Sequence, residues 1–342
     1  MAAPLESRIA AYVAGRMAEA REVQATGLTR ISGGASRETY RFTLAWRDAD
    51  GAARERKMIL RRDPPASLID TERRIEFEAY RAFRGSAVPV PEMLWLEEGS
   101  DALDHPFFIA EEIAGFQAAP ALLWTEPYLA TLEKLGAHKW TILGEIAKAD
   151  PAGLGLTEVM IPVALDACWD RELSYWEGVL DDDEAEPLPI TRAAIRWLRA
   201  NPPPPAQKLS VVHGDYRTGN FLFDEHGTIH GVLDWEMAHL GDPLEDLGWS
   251  FNPVWSFGRP EAGGLMPHDQ AAAVWEQASG LKADPAALHW WTLFNCVKGQ
   301  AIWISSARAF IDGGNREPIM VAPPWMLQNA QDRATLKVMG RL

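Results

Sequence analysis

Cysteine is scarce in this chain. Cys168 and Cys296 are its only two among 342 residues. They lie far apart and form no C-x-x-C pattern, which argues against a disulfide framework and a thiolate zinc site. Long apolar runs are also missing. No stretch approaches the roughly 20 residues that a membrane helix needs. The first residues, Met1-Ala-Ala-Pro-Leu-Glu-Ser-Arg8, lack a basic segment followed by an apolar core. No signal peptide or membrane partner is therefore expected, and a cytoplasmic location is the default. Positive charge is short as well. Lys and Arg number 33 against 48 Asp and Glu, a formal net charge of -15. Nucleic acid is thus not an expected partner, because a phosphate backbone demands a basic face. The acidity is compatible with a cationic small-molecule substrate, though solubility alone is the simpler reading. Walker A, G-x-S-x-G and H-E-x-x-H patterns are absent, and there is no internal repeat. Oligomeric state is not legible.

The hydrophobic share, 47%, is that of an ordinary globular chain, and the length suffices for two lobes. Alternation of polar and apolar residues predicts strands at Leu28 to Ile31, Thr39 to Leu44 and Lys57 to Arg61. Helical spacing of Ile75, Ala79 and Phe83 predicts a helix over Ile69 to Phe83. Val88-Pro-Val-Pro91 forces an extended segment, and Met93 to Leu96 and Phe107 to Ile113 read as two further strands. Five strands and one main helix make a small lobe, residues 1–114. Gly115 marks the junction, and residues 115–342 form a larger, mostly helical lobe. Helices are expected at Ala121 to Ile146, Asp166 to Val179, Thr191 to Ala200, Asp269 to Ala278, Pro285 to Ile311 and Pro324 to Met339. Asp181-Asp-Asp-Glu184 reads as a solvated acidic loop. Leu209 to Val212 is a short strand, and Phe221 to Phe223 with Ile229 to Leu233 a hairpin. Trp290, Trp291 and Trp303 lie on a helical segment and are expected in the core.

The chemistry-bearing pattern is His213-Gly-Asp215-Tyr-Arg-Thr-Gly-Asn220, followed by Asp234. Phosphoryl transfer needs a group at the acceptor hydroxyl, metal ligands under the phosphates and a loop covering them. Asp215, in a turn after an apolar strand, can accept the hydroxyl proton or orient the nucleophile. Asn220 and Asp234 offer hard oxygen ligands suited to magnesium. The spacing matches H-x-D-x-x-x-x-N followed by a metal-binding Asp. His213 is expected to hydrogen-bond the loop backbone near Asp234. Upstream, Ser32-Gly33-Gly34-Ala35-Ser36 lies between two strands, where small residues let backbone amides approach nucleotide phosphates. The strand after it offers Arg61 (or Arg62) where a kinase places lysine. Glu76 is the natural ion-pair partner, with Glu72 and Glu78 as competitors.

These motifs, with Met58-Ile-Leu-Arg-Arg-Asp-Pro-Pro65, Val88-Pro-Val-Pro-Glu92 and Val232-Leu-Asp-Trp-Glu-Met-Ala-His-Leu-Gly-Asp-Pro-Leu-Glu-Asp-Leu-Gly248, resemble the aminoglycoside phosphotransferase family. The resemblance spans Leu28 to Asn315 and is strongest from Val211 to Trp249. It implies an α+β, bilobal, protein-kinase-like fold. It also implies Asp215 as catalytic base, Asn220 and Asp234 as Mg2+ ligands, and ATP as donor, with GTP not excluded. The Ser32–Ser36 loop would cover the phosphates, and the strand end at Ala110, Glu111, Glu112 and Ile113 would meet adenine. Asp242 and Asp246 resemble the family's structural acids, and Glu236 would face the site. Arg61 in place of lysine, and Lys298 to Arg308 followed by Gly313-Gly-Asn315, resemble the branch related to kinase domains fused to acyl-CoA dehydrogenases. That branch favours a metabolite alcohol or hydroxyacyl thioester over an aminoglycoside. Lys298 and Arg308 would then meet an anionic group.

Three rival readings compete with this one. A protein kinase fits poorly, because Asp234-Trp-Glu replaces D-F-G and no A-P-E segment follows. A metal-dependent phosphoesterase would gather His213, Asp215, His226, His230, Asp234 and His239, but their spacing fits no regular ligand set. A non-catalytic nucleotide binder would draw only on Arg61, since Asp215 and Asp234 are both present.

Overall fold

The computed structural model describes residues 3–31, 38–63, 73–313 and 316–342. The Ser32–Ser36 loop and the expected helix start at residues 69–72 lie outside them. Helix α1 (Leu5–Ala14) precedes strands β1 (Arg21–Ile31), β2 (Glu38–Arg47) and β3 (Ala53–Arg62). Helix α2 (Arg73–Phe83) and strands β4 (Met93–Glu97) and β5 (Phe107–Glu111) follow. The strands form one antiparallel sheet in the order β1-β2-β3-β5-β4. Side chains alternate between its faces, as the period of two requires. Phe42, Leu44, Met58, Leu60, Phe107 and Ile109 are buried with Ile9, Tyr12 and Val13 of α1. Phe108 and Ala110 are buried with Phe77, Ala79, Tyr80 and Phe83 of α2. Arg61 pairs in register with Phe108, so parity sends its side chain to the α2 face and not toward α1. Helix α1 was not expected. It is short, has no side-chain N-cap and buries only Ile9, Tyr12 and Val13, so its order comes from docking on the sheet.

The remainder is helical around two short strand pairs. It comprises α3 (Leu132–Lys148), α4 (Cys168–Asp183), α5 (Pro189–Ala200), β6 (Ser210–Val212), β7 (Phe221–Phe223), β8 (Ile229–Val232) and β9 (His239–Gly241). Helices α6 (Leu244–Phe251), α7 (His268–Ser279), α8 (Pro285–Ile311) and α9 (Ala322–Val338) complete it. β6 pairs with β9 and β7 with β8, both antiparallel. Two expectations are corrected. The helix expected from Ala121 begins only at Leu132, after single 3-10 turns at Pro120–Leu122 and Tyr128–Thr131. Pro127 accounts for this: it lacks an N–H and bars the preceding residue from helical geometry. The acidic loop is instead the last turn of α4, where Asp181 and Glu184 both pair with Arg192 of α5 and Asp183 meets the Ser305 hydroxyl. Among the described residues, no helix is long and apolar enough to cross a membrane.

One close contact positions the functional loop. Gly248 of α6 lies against α8, where an added Cβ would come 2.8 Å from the Trp291 carbonyl carbon. With no side chain there, α6 sits on α8 and presents Asp246 and Trp249 toward the segment that leaves β6.

Candidate active site

The turn after β6 is held almost wholly by buried groups. The His213 and Gly214 N–H groups donate to the two Asp246 oxygens at 2.6 and 2.9 Å. The His213 ring is fully buried. Its Nε2 lies 2.9 Å from the Leu233 carbonyl, and its Nδ1 lies 3.2 Å from the Asp215 N–H. A carbonyl needs a donor and an N–H needs an acceptor, so the ring is neutral. Burial agrees, pushing the imidazole down to about 4. The expected backbone bond near Asp234 is thus present. Gly214 has φ +84°, and a Cβ there would lie 2.4 Å from the Met237 carbonyl oxygen, so no other residue fits.

Asp215 follows. Its Oδ1 accepts from Trp249 Nε1 at 2.7 Å, and its Oδ2 from Asn220 Nδ2 at 2.6 Å. Arg217 Nε lies 3.1 Å from Oδ1. Burial pushes the Asp215 carboxyl above its ordinary range, with Arg217 offsetting part of the effect. The Asn220 nitrogen also donates to the Asp215 carbonyl at 2.9 Å, so Oδ1 is the atom it can offer a cation. Asp234 lies just beyond β8 at φ +70°, and its N–H donates to the Tyr80 hydroxyl at 2.8 Å. Its carboxylate takes Arg61 Nη2 at 3.0 Å. Burial opposes ionisation of Asp234, but Arg61, through its charge and hydrogen bond, and Arg217 hold its carboxyl below the usual value.

Arg61 links the two halves of the site. Its Nη1 donates to Glu76 of α2 at 2.5 Å, and its Nη2 also lies 3.5 Å from Glu236. The choice among acidic partners therefore falls on Glu76, which is fully buried. Arg62 instead pairs with Glu38 at 2.5 Å. The cluster holds the carboxylates of Glu76, Asp215, Asp234 and Glu236 against the guanidiniums of Arg61 and Arg217. With His213 neutral, the donors carry an excess of two negative charges. That excess, with hard oxygen atoms, fits a divalent cation such as magnesium.

Other expected residues lie as follows. The Glu111 and Glu112 N–H groups donate to the Glu92 and Lys57 carbonyls, each at 2.9 Å, and their side chains pair with Arg56 and Arg41. Ile113 packs on Gly231 of β8. Lys298 is not at an open surface: it is 1% exposed, against Glu245 and the Gly214 carbonyl, and it cannot meet a substrate there. Arg308 pairs with Asp312 at the exposed end of α8, and among the described residues no contact joins it to the cluster. Asp242, just before α6, accepts from the Leu244 N–H and from Trp291 Nε1. The histidines of the phosphoesterase reading have other partners: His226 is exposed, His230 bonds Asp224, and His239 bonds Glu245. Trp290 and Trp291 are core, as expected, whereas Trp303 is only half-buried. Trp249 and Tyr80, which hold Asp215 and Asp234, were not singled out from sequence. Arg217, two residues from Asp215, was legible as a neighbour but given no role.

This geometry agrees with the relationships of the chain. Residues 27–291 match the family described as "Phosphotransferase enzyme family" (APH). The chain belongs to this family of kinase-fold phosphotransferases. The mouse protein named acyl-CoA dehydrogenase family member 10 is 28% identical over 228 residues, covering 65% of this chain and 20% of that protein. This chain thus spans about a fifth of that relative's length. A Ralstonia eutropha protein assigned as an aminoglycoside phosphotransferase superposes with a TM-score of 0.69 at 18% identity, over 98% of both chains. The ternary complex of a thermostable APH(4)-Ia variant with AMP-PNP and hygromycin B has a TM-score of 0.57 at 20% identity, over 96% of this chain and 98% of that one. These likenesses establish the two-lobed α+β kinase-like fold.

Proposed function

We propose that the protein transfers the γ-phosphoryl group of ATP to a hydroxyl of a small molecule. One observation carries this reading: Asp215, Asn220 and Asp234 lie in one cluster with a charge deficit that suits a divalent cation. Asp215 accepts the hydroxyl proton as the alcohol oxygen attacks the γ-phosphorus. The β–γ bridging bond then breaks and ADP leaves. Trp249 and Asn220 aim the two Asp215 oxygens. Magnesium, held by Asn220 Oδ1 and Asp234, would supply neutralisation of phosphate charge. Arg61 takes the place of the strand lysine on the α/β-phosphates, with Glu76 orienting it. The Ser32–Ser36 loop covers those phosphates, and the chain at Glu111 to Ile113 borders adenine. Arg217 stands beside the attacking oxygen, where a guanidinium stabilises the transferring group. The domain boundary at residues 114 and 115 lies between these two halves.

A metabolite alcohol or hydroxyacyl thioester is favoured as acceptor over an aminoglycoside. The similarity to a protein named for acyl-CoA dehydrogenase supports it, as does arginine in the strand-lysine position. A mass-spectrometric screen of phosphate transfer to hydroxyacyl thioesters, other alcohols and aminoglycosides tests the choice. Asp215→Ala is expected to lower turnover by at least about a thousandfold with nucleotide binding kept; ordinary turnover by this variant would sink the assignment. Asp234→Ala is expected to lose the rise in melting temperature produced by magnesium–ATP. An unchanged rise would remove Asp234 from the metal site.

A further inference from the structure

Lys298 lies on α8, and its Nζ is 2.7 Å from the Gly214 carbonyl oxygen and 3.0 Å from Glu245 Oε1. Lysine and glutamate are both essentially without solvent contact, at 1% and 0% exposed. Such a pair loses much hydration and seldom adds stability over apolar packing. What it holds gives it a reason to be there. The Gly214 carbonyl belongs to the peptide that also carries the Asp215 N–H. Lys298 binds the oxygen of that peptide, and the His213 ring accepts from its N–H. Asp246 takes the Gly214 N–H one peptide earlier.

The need for such a grip follows from Gly214. Only glycine fits its positive φ beside Met237, yet glycine is the residue with the greatest backbone freedom. Rotation of the Gly214–Asp215 peptide would swing the Asp215 carboxylate. The Lys298 ammonium also lies 5.2 Å from the centre of the Trp249 ring, and that ring donates to Asp215. Behind Lys298, Glu245 bonds His239 at 3.1 Å, and Glu172 lies 3.6 Å from the same imidazole. These groups keep the amine buried and directed at the loop.

We propose that Lys298 is a positioning residue: from α8 it fixes the Gly214–Asp215 peptide and so aims the Asp215 carboxylate, without touching substrate. The inference rests on the kinase reading for its effect on rate. Three variants separate positioning from simple support: Lys298→Met, Glu245→Gln and the double variant. Turnover and KM for magnesium–ATP are read from phosphate release with water as acceptor. Hydrogen–deuterium exchange is followed across residues 213–220. Lys298→Met is expected to lower kcat about 30- to 100-fold, as a loosened catalytic group does. Its nucleotide KM should stay within about twofold, because the lost interaction acts on chemistry. Exchange across the loop should quicken. The double variant is expected to regain melting temperature but not kcat. Glu245→Gln should keep kcat within about threefold, since even a neutral amine donates to the Gly214 carbonyl. If Lys298→Met is unfolded, the double variant carries the test. A folded variant lacking Lys298 with parental kcat and parental loop exchange would overturn the proposal. So would a loss in Glu245→Gln equal to that in Lys298→Met, which would assign the effect to the ion pair. If the parent transfers phosphate to no acceptor, water included, the kinase reading fails. Loop exchange then still decides whether Lys298 fixes the peptide.

Discussion

Trp249 and Asn220 divide the Asp215 carboxylate between them, one N–H to each oxygen. Hydrogen bonds to a carboxylate favour its ionised form, so both partners work against the burial that raises it. Trp249→Phe keeps the ring and deletes the donor. The acid limb of kcat/KM is expected to move to higher pH, because losing a bond to the ionised form raises the carboxyl further. Turnover at neutral pH should fall roughly tenfold, in line with loss of a hydrogen bond to a charged group. A pH–rate profile checks both, and an unmoved acid limb would separate Trp249 from Asp215. At this scale the sequence was legible where partners are close in the chain. Asn220 is five residues from Asp215, and Arg61 and Glu76 lie on successive elements. Trp249 is 34 residues from Asp215, and no short spacing links them. Lys298 was misjudged for another reason. A lysine on a helix is normally solvated, and the sequence does not say which face it takes. Yet Leu293 to Ala301 are buried without a break. A helix enclosed on all sides has no wet face for a lysine to use.

Among the elements, the pairing of α6 with α8 sets where the loop-holding groups stand. Gly248→Ala is expected to destabilise the fold by about 1–3 kcal/mol, the usual cost of overpacking. The neighbours are main-chain atoms of Trp291 and Thr292 at 2.8 and 2.9 Å, and these cannot turn aside as a side chain would. The melting temperature should fall by several degrees, and an unchanged midpoint would show that the helices separate freely. Strand and helix positions were largely readable from alternation and helical spacing, and the order of elements followed from them. The 3-10 turns before α3 were hidden by apolar residues at helical spacing, although Pro127 was the signal against a helix. Helix α1 was hidden because its apolar residues have meaning only against the sheet they cover.

For the whole molecule, pH dependence is expected from buried groups. Burial would lower the His239 imidazole, but Glu172 and Glu245 together raise it to about 9. Lys298 opposes them from behind Glu245. A histidine raised above its unfolded value near 6.5 stabilises the fold fully below that value. The contribution is lost as pH rises through about 9. The unfolding free energy is therefore expected to decline between these limits by at most roughly 3 kcal/mol, at about 1.4 per pKa unit. His239→Gln should flatten the decline in chemical denaturation across that range. An identical slope in the variant would place its cause elsewhere.

Arg61 has a mechanical consequence as well. Glu76 belongs to the sheet-bearing lobe and Asp234 to the helical one, so a single guanidinium ties the lobes together. Under the proposed function, nucleotide phosphates compete for that same guanidinium. Their arrival exchanges a strut made of protein for one made of ligand. The empty molecule should therefore be nearly as closed as the loaded one, and small-angle scattering should find a wider particle only when Arg61 is removed.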